Sequence, residues 1–383
     1  MTASMFIDRS REFAYADSLR GTAFDGGRRV MKENNECAIV MKGISKEFKV
    51  LNRREGLKGS LLDLFSRDYK TVTAVDDISI EIPRGQIVGY LGPNGAGKST
   101  TIKMMTGVLE PTRGELLVNG AVPYKNRAKN AEKIGVVFGQ RSQLWWALPL
   151  TESFNILKDI YMIPDQEYKD MLEFYQSLVD IEPLLHKPVR QMSLGQRTLS
   201  DILAAFLHNP GIVFLDEPTI GLDVSMKSKI RTLIHALNQE KGTTVILTTH
   251  DMGDVDALCR RIVIIDHGKM LYDNDIEHLR RFFGSYRTLK LRLSGDKKAQ
   301  LEKLTAEIPE CSVGITEDEE WITVLVDEEK RKVMDVLSQI QNSYTVRDMQ
   351  LEEISTEDVI RKIYEDADRE NGAASEETEE GRE

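Results

Sequence analysis

The stretch GPNGAGKST, Gly92–Thr100, decides the fold of this chain. It fits the pattern G-x-x-x-x-G-K-[ST], whose glycines let backbone N–H groups turn inward around a phosphate. The apolar stretch QIVGYL (86–91) precedes it, and a helical pattern follows it. That strand–loop–helix context favours a phosphate-binding loop over a glycine-rich turn that binds no nucleotide.

The residue types of the loop match the chemistry of a bound triphosphate. Gly92, Gly95 and Gly97 free the backbone to turn, and the following helix directs its positive N-terminal end at the anion. Lys98 reaches the β- and γ-phosphates, and Ser99 offers a hydroxyl to Mg²⁺. The predicted nucleotide site also includes the other residues of the stretch, which are Pro93, Asn94, Ala96 and Thr100. The loop alone does not distinguish a kinase, a GTPase and an ATPase.

Composition restricts the class of protein. The chain has 383 residues, of which 41% are hydrophobic and 30% charged, so two or three domains with a sizeable core are expected. No apolar run approaches the roughly 20 residues that span a bilayer. The three cysteines have no paired spacing, which excludes a disulfide framework or a zinc site and fits a reducing cytosol.

The net charge of −11 argues against a nucleic-acid partner. The charge is uneven, because residues 366–383 contain eight acids and two bases and so carry −6. Such a run is typical of a solvated, disordered tail.

Apolar runs alternate with helical patterns from Ala38 onward, which predicts an α/β fold. The last of these runs, IVIIDHGKMLYD (262–273), predicts a hairpin that turns at His267-Gly268. The other predicted strands are VDDISIEI (75–82), QIVGYL (86–91), IGVVF (134–138), IVFLD (212–216) and TVILTT (244–249).

The change of pattern near residue 285 predicts a second domain. Strands and helices follow there in the order β-α-β-β-α-β, with helices at 297–307 and 328–342, and this order suits a small α+β ferredoxin-like domain. The predicted division is an ill-ordered extension at 1–36, an α/β nucleotide-binding domain at 37–284 with a helical subdomain at about 141–208, the α+β domain at 285–365, and the acidic tail at 366–383.

An insertion, GLKGSLLDLFSRD (56–68), interrupts the strand pattern of the first domain. Leu57, Leu61, Leu64 and Phe65 fall on one helical face, which predicts an inserted amphipathic helix. It either packs on its own domain or contacts a membrane or a partner.

Two acids end the apolar strand IVFLDEP, where the C-terminal edge of a buried parallel strand leaves room for polar chemistry. Asp216 is suited to hold Mg²⁺ directly or through water. Glu217 is suited to deprotonate a water for in-line attack on the γ-phosphate. The alternative is a pair of solvated carboxylates at a strand end, which the phosphate loop makes the weaker interpretation.

His250 and Gln140 end two further apolar strands. His250 in LTTHD is placed to hydrogen-bond the γ-phosphate or the attacking water, and Asp251 is placed to cap the next helix. Gln140 in IGVVFGQ is placed to bind Mg²⁺ or water through its amide. A purely structural role is the alternative for each.

The segment MSLGQR, Met192–Arg197, offers a second anion site. Ser193 as N-cap places Gln196 at the third helical position, and this capping box is by itself a sufficient local explanation. Gly195, however, costs up to ~1 kcal/mol of helix propensity, and a helix end with a hydroxyl and no nearby side chain fits an approaching anion. A two-fold dimer would place this segment on the partner's nucleotide.

Together these residues resemble the ATP-binding subunit of ABC transporters over roughly residues 38–283. The motifs fall in the family's order: Walker A (Gly92–Thr100), Q-loop (Gln140), signature (Ser193–Gln196), Walker B (Ile212–Asp216) with Glu217, D-loop (Gly221–Asp223) and switch histidine (His250). The resemblance implies the P-loop NTPase fold, ATP and Mg²⁺ as cofactors, and Asp223 in the nucleotide site. The wording TIKMMTG, DEPTIGLD and TTHDM is similar to the bacterial exporter branch of sodium and drug extruders.

Two features depart from or extend the family pattern. Met192 and Leu194 differ from the usual L-S-G-G-Q signature, whereas Gly195 is retained. The family stacks an aromatic ring on adenine, for which Tyr69 has the best spacing and Phe48 is the alternative.

The Trp145-Trp146 pair lies in the region where the family receives its membrane subunit. Either both rings are buried, or one lies on the partner-binding surface.

The resemblance implies an ATPase on the cytoplasmic side of the membrane that drives a separately encoded permease as a homodimer or heterodimer. Export of ions, drugs or other small molecules is the expected direction. A ribosome- or DNA-directed ABC protein is the first alternative, and the single cassette without sustained heptads weighs against it. A non-catalytic regulatory module is the second, against which Glu217 and His250 weigh.

Overall fold

A computed structural model describes residues 36–51, 69–139, 142–282, 286–294, 297–316, 321–365 and 367. The predictions for residues 1–35, the inserted helix, Gln140 and the tail from 368 onward lie outside the described residues. The described chain divides into two compact units, of which the first ends at Asn274 and the second begins at Asp275. The division lies before the boundary at 284 that the sequence pattern predicts.

The first unit alternates strands with helices. Its elements are β1 (Cys37–Leu51), β2 (Tyr69–Pro83), β3 (Ile87–Leu91), α1 (Lys98–Met105), β4 (Arg113–Val118), α2 (Arg127–Ala131), β5 (Ile134–Phe138), α3 (Leu150–Ile160), α4 (Asp165–Leu178), α5 (Glu182–Leu185), a 3-10 turn (Val189–Gln191), α6 (Leu194–Phe206), β6 (Ile212–Asp216), α7 (Val224–Lys241), β7 (Thr244–Thr248), α8 (Met252–Leu258), β8 (Arg261–Asp266) and β9 (Lys269–Asp275).

A six-stranded sheet in the order β5-β6-β7-β3-β8-β9 forms the centre of this unit. The pairs β5–β6, β6–β7, β7–β3 and β3–β8 are parallel. Strands of this kind are covered on both faces, which is why β3 and β7 consist entirely of buried residues. The parallel strands end at one edge, so the residues after β3, β6 and β7 meet there. The hairpin β8–β9 turns at His267-Gly268 as predicted, and both residues have positive φ.

A three-stranded antiparallel sheet, in the order β2-β1-β4, packs into the same core. The strand β2 starts six residues before the predicted VDDISIEI because its first half pairs with the second half of β1, from Tyr69 opposite Leu51 to Thr73 opposite Glu47. The side chains of this extension are exposed, so no alternating apolar pattern marks it in the sequence.

The predicted helical subdomain holds α3 to α6 around its own apolar contacts. Phe154, Tyr175 and Ile202 are buried there, and the Tyr175 hydroxyl donates a hydrogen bond of 2.7 Å to the Leu203 carbonyl on α6. The helix α6 therefore reaches from this subdomain to the central sheet, where it also packs against β5.

The second unit contains α9 (Ile276–Phe282), β10 (Tyr286–Leu293), α10 (Lys297–Glu307), β11 (Ser312–Ile315), β12 (Ile322–Asp327), α11 (Val333–Ser343), β13 (Val346–Glu353) and a helix at 356–365. Its antiparallel sheet has the order β11-β12-β10-β13. The elements follow in the predicted β-α-β-β-α-β order.

The helix α11 begins later than predicted. The Asp327 carbonyl accepts bonds from the Lys330 and Arg331 backbone N–H groups, so a turn occupies the first residues of the predicted helix. Among the helices of the described residues, none is both long and apolar enough to cross a membrane.

Candidate active site

The phosphate loop has the geometry that its glycines require. Gly97 is the N-cap of α1 with a φ of 107°, a conformation that side chains other than glycine rarely adopt. A Cβ on Gly97 would also lie 2.4 Å from the Ala74 carbonyl oxygen on β2. Glycine is therefore required here both by backbone conformation and by the close approach of a neighbouring strand.

A cavity of about 360 Å³ opens between the phosphate loop and the ends of the parallel strands. It brings together eight of the predicted site residues and two more, Ala74 and Gly139. Its predicted members are Asn94, Gly95, Gly97, Lys98, Ser99, Thr100, Asp216 and Glu217. Of the remaining loop residues, Ala96 is buried, and Gly92 lies so close to the Ile265 carbonyl oxygen that a Cβ there would come within 2.5 Å of it.

Lys98 folds back over the loop. Its Nζ donates hydrogen bonds to the Gly92 and Pro93 carbonyl oxygens at 2.6 and 3.0 Å. Partial burial lowers the pKa of Lys98, while the carboxylates of Glu217 and Asp216 oppose that change. The ammonium group thus lies in the field of the two acids that share its cavity.

Asp216 and Glu217 are held by β7. The Thr248 hydroxyl donates a 2.5 Å hydrogen bond to Asp216 Oδ1, and the Glu217 backbone N–H donates to the Thr248 carbonyl oxygen at 2.9 Å. Glu217 has a φ of 50°, a left-handed conformation uncommon outside glycine. Thr248, which sequence reasoning did not single out, therefore fixes the turn that presents both acids.

His250 lies beside Glu217. The distance from His250 Nδ1 to Glu217 Oε1 is 3.4 Å, and the histidine side chain is 65% exposed against 27% for the glutamate. The side chains come from the ends of two adjacent strands, as the apolar runs predict. A carboxylate and an imidazole this close can both contact one water that lies beside them.

The signature segment, Ser193–Gln196, starts α6 with the predicted capping box. The Gln196 N–H donates to Ser193 Oγ at 3.2 Å, and the Ser193 N–H donates to Gln196 Oε1 at 3.2 Å. Lys187 Nζ also donates to Gln196 Oε1, at 2.9 Å. None of the segment's residues lines the cavity of the same chain's phosphate loop.

The prediction for the environment of Gly195 is wrong in one respect. The sequence predicts a helix end with no side chain nearby, but Gly195 is buried and a Cβ there would lie 2.6 Å from Met226 Cγ on α7. Asp223, the N-cap of α7, accepts a 2.9 Å hydrogen bond from the Met226 N–H and so helps to place that methionine. Packing between α6 and α7 is therefore a sufficient reason for glycine at this position.

The two tryptophans are both exposed in part, Trp145 by 38% and Trp146 by 55%, so the alternative in which both are buried is wrong. The Arg197 guanidinium of α6 stacks on the Trp146 ring at 4.6 Å from its centroid. This contact holds the Trp146 ring against α6 at the surface of the helical subdomain.

Asp201 connects α6 to the segment after Gln140, and no motif marked it in the sequence. Its Oδ1 accepts hydrogen bonds from the Ser142 hydroxyl and the Gln143 N–H, each of 3.0 Å. Burial raises the pKa of Asp201 to about 6, although the bonds from Gln143 and Ser142 and the charge of Arg197 favour the ionised form. The folded chain therefore binds a proton at Asp201 more tightly than the unfolded chain does.

We expect Asp201→Asn to stabilise the protein at neutral pH, because the amide oxygen still accepts both bonds and no charge is buried. The folded pKa lies above the ordinary value of 3.8, so wild-type stability falls as pH rises from about 4 to about 6 and is level above that. One pKa unit corresponds to about 1.4 kcal/mol, so Asp201→Asn should raise the free energy of unfolding by about 3 kcal/mol at most. Urea unfolding of both proteins at pH 4.5 and 7.5 measures it. A difference that does not change with pH would contradict the prediction.

The chain is similar to known ATP-binding proteins of ABC transporters. The family described as ABC transporter matches residues 75–220. The ABC transporter ATP-binding protein NatA of Bacillus subtilis (strain 168) is 33% identical over 215 residues, which cover 56% of this chain and 87% of NatA. The linearmycin resistance ATP-binding protein LnrL of the same organism is 35% identical over 233 residues, which cover 61% of this chain and 74% of LnrL.

A solved structure extends the agreement to the fold. The dimeric structure of a post-hydrolysis state of an ATP-binding cassette, bound to ADP and Pi, aligns with a TM-score of 0.50 and 25% identity. The alignment covers 62% of this chain and 98% of that one. The chain has a phosphate loop and a paired aspartate and glutamate at a strand end, and it is similar to NatA over most of that protein's length. It therefore belongs to the ABC transporter family, as an ATP-hydrolysing ATP-binding subunit.

Proposed function

We propose that this subunit powers the export of small molecules through a separately encoded membrane permease, on whose cytoplasmic face it sits as a peripheral subunit. The observation that carries the catalytic part is the 3.4 Å pairing of His250 with Glu217, which lines the phosphate-loop cavity. The name of LnrL, a resistance protein, supports export as the proposed direction of transport.

In the proposed reaction Glu217 is the general base. It accepts a proton from a water aligned with the γ-phosphate, and His250 orients that water or the γ-phosphate from the next strand end. Lys98 exchanges its bonds to the loop carbonyls for bonds to the β- and γ-phosphates, which carry more negative charge. Gln140, which lies outside the described residues, is proposed to bind Mg²⁺ or water through its amide.

Ser99 and Asp216, with Gln140, are the proposed Mg²⁺ ligands. Within the part of the chain that the structure describes, no group of three or more His, Cys, Asp or Glu side chains could hold a metal ion. A hydroxyl and a carboxylate fit Mg²⁺ well, because this ion keeps several waters and takes the rest of its ligands from substrate phosphates. Bound there, Mg²⁺ would neutralise charge on the γ-phosphate.

The proposed active form is a dimer with two nucleotides. Ser193 and Gln196 do not reach the cavity of their own chain, so their proposed target is the nucleotide on the partner's phosphate loop. Asp223, exposed at the start of α7, is proposed to face the partner near the same nucleotide. The dimeric cassette with ADP and Pi supports this arrangement. Gly195 is proposed to offer its backbone N–H group to the partner's nucleotide. Its lack of a side chain also lets α6 fit closely against Met226.

Phe48 is better placed than Tyr69 to stack on the adenine base, although the spacing in the sequence favours Tyr69. Phe48 on β1 pairs with Val72, two residues from the cavity-lining Ala74, whereas Tyr69 lies five residues from Ala74 along β2. At about 3.3 Å per residue, that separates Tyr69 from Ala74 by roughly 16 Å. We therefore propose Phe48, the alternative from the sequence, as the stacking ring.

The permease is proposed to dock on the helical subdomain around Trp146. Aromatic side chains are enriched at protein interfaces, and this ring is already ordered by Arg197. The permease is expected to be encoded next to this protein.

A reconstitution experiment tests the proposed function. The full chain is purified, co-reconstituted in lipid vesicles with the membrane protein of the adjacent reading frame, and assayed for ATP turnover with and without that protein. We expect turnover that rises with the permease, together with ATP-dependent movement of a small fluorescent drug across the vesicle membrane. Stimulation by ribosomes or RNA in place of the permease would contradict the proposal.

A further inference from the structure

A buried carboxylate outside the assignments above lies behind the catalytic pair. Asp254 in α8 has 0% exposure, and each of its two oxygens is engaged. Oδ2 accepts hydrogen bonds from the Thr219 and Thr249 hydroxyls, the second at 3.0 Å. Oδ1 accepts a 2.6 Å bond from Arg231 Nε on α7.

The positions of the two threonines give this carboxylate its significance. Thr219 follows Glu217 by two residues, and Thr249 immediately precedes His250. Both threonine side chains are themselves buried, at 2% and 3% exposure. One oxygen atom of Asp254 therefore ties together the two chain segments that carry the proposed base and its histidine.

A second ion pair supports Arg231 from the other side. Asp251, the N-cap of α8, accepts hydrogen bonds from Lys227 and, at 3.3 Å, from Arg231 Nη2. Gly253 leaves room for the guanidinium, since a Cβ there would lie 2.9 Å from Arg231 Nη2. Two cations of α7 thus face two carboxylates of α8.

Such a network has a narrow range of allowed geometries. A buried carboxylate is tolerated only when it is paired with a cation and its lone pairs are hydrogen-bonded, and Asp254 meets both conditions. Displacement of either threonine would leave part of this charge unsatisfied. The network therefore resists movement of Glu217 relative to His250.

We propose that Asp254 is a positioning residue for ATP hydrolysis. Through Thr219 and Thr249 it holds the Glu217 carboxylate and the His250 imidazole at their 3.4 Å separation. It acts through these neighbours and does not line the cavity. This inference rests on the proposed roles of Glu217 and His250.

The sharpest test removes one hydroxyl at constant side-chain volume. Thr249→Val and Thr219→Val in the full chain each abolish one bond to Asp254, and Thr249→Ser and Thr219→Ser retain the hydroxyl. A misplacement of about 1 Å costs about 100-fold in rate, so we expect kcat to fall about 10- to 100-fold in each valine variant, with the KM for ATP unchanged. We expect the serine variants to keep at least half of the wild-type kcat. An unchanged kcat in both valine variants would overturn the proposal.

A matched control separates positioning from folding. Asp273 on β9 accepts two bonds of 2.7 Å from Arg261, so Asp273→Asn breaks a comparable ion pair outside the cavity. We expect this variant to melt at a lower temperature with kcat per folded molecule unchanged. If it lowered kcat as far as Thr249→Val does, the loss would reflect general destabilisation.

A second readout does not depend on turnover. The chain has six histidines, so their ring C–H resonances can be assigned by NMR through single substitutions. We expect Thr249→Val to move the His250 resonances toward their positions in Glu217→Gln, because both changes disrupt the Glu217–His250 contact. Unmoved His250 resonances would overturn the positioning role.

Glu217→Gln distinguishes this inference from the function on which it rests. In the Glu217→Gln background, Thr249→Val should cause little further loss of turnover, since the Glu217–His250 contact that Thr249 helps to maintain is already disrupted. If Glu217→Gln itself kept wild-type turnover, the proposed base would fail. If Glu217→Gln lost turnover while Thr249→Val did not, only the role of Asp254 would fail.

Discussion

ATP turnover is expected to fall by about 10²–10⁴-fold when Glu217 is replaced by Gln, which is the range that a general base contributes. The amide has nearly the same size and keeps the backbone bond to Thr248, but it cannot accept a proton from water. Its neutral oxygen also removes the charge that faces His250 at 3.4 Å. The loss should therefore fall on kcat, whereas ATP binding through the phosphate loop is retained.

Single-turnover hydrolysis and fluorescent-nucleotide binding measure these two quantities separately. Size-exclusion chromatography with light scattering, in the presence of ATP and Mg²⁺, should show a persistent dimer of Glu217→Gln, because the step that opens it is blocked. Glu115→Gln, an exposed change on β4, provides the matched control. Wild-type turnover in Glu217→Gln would remove this residue as the base.

The second large effect is expected for Lys98→Ala, which should weaken ATP binding by a hundredfold or more. Hydrogen bonds to charged groups contribute about 1.5–3 kcal/mol each, and Lys98 is assigned contacts with two phosphates. In the folded chain its ammonium is already bound to the Gly92 and Pro93 carbonyl oxygens, so it is held close to the site that the phosphates occupy. Little ordering of the side chain remains to be done on binding.

Isothermal titration with ATP measures this loss. Lys103→Ala is the control, because Lys103 lies on the same helix α1 with its side chain exposed and outside the cavity. Thermal melting of both variants shows whether the loop itself is intact. Unchanged ATP affinity in a folded Lys98→Ala protein would contradict the assigned contact.

The positions at which expectation and structure differ share a cause. The extension of β2 before Val75 carries no apolar alternation, because its side chains are exposed and only backbone pairing with β1 makes it a strand. The glycine of the signature segment is explained in the folded chain by Met226, which lies on another helix. Asp201, Thr248 and Asp254 belong to no local pattern, since most of their partners lie more than 20 residues away along the chain.

The sequence by itself determined the phosphate loop, the buried strands, the acids and histidine at their ends, and the capping box of α6. Each of these depends on residues within a few positions of one another, where periodicity and side-chain chemistry are sufficient. Only the tertiary structure decided that Glu217 and His250 form a pair, that one buried aspartate ties their two segments together, and that Phe48 is nearer to the cavity than Tyr69. Those facts depend on how strands distant in the chain are ordered and aligned, and that arrangement is set by the packing of the whole core.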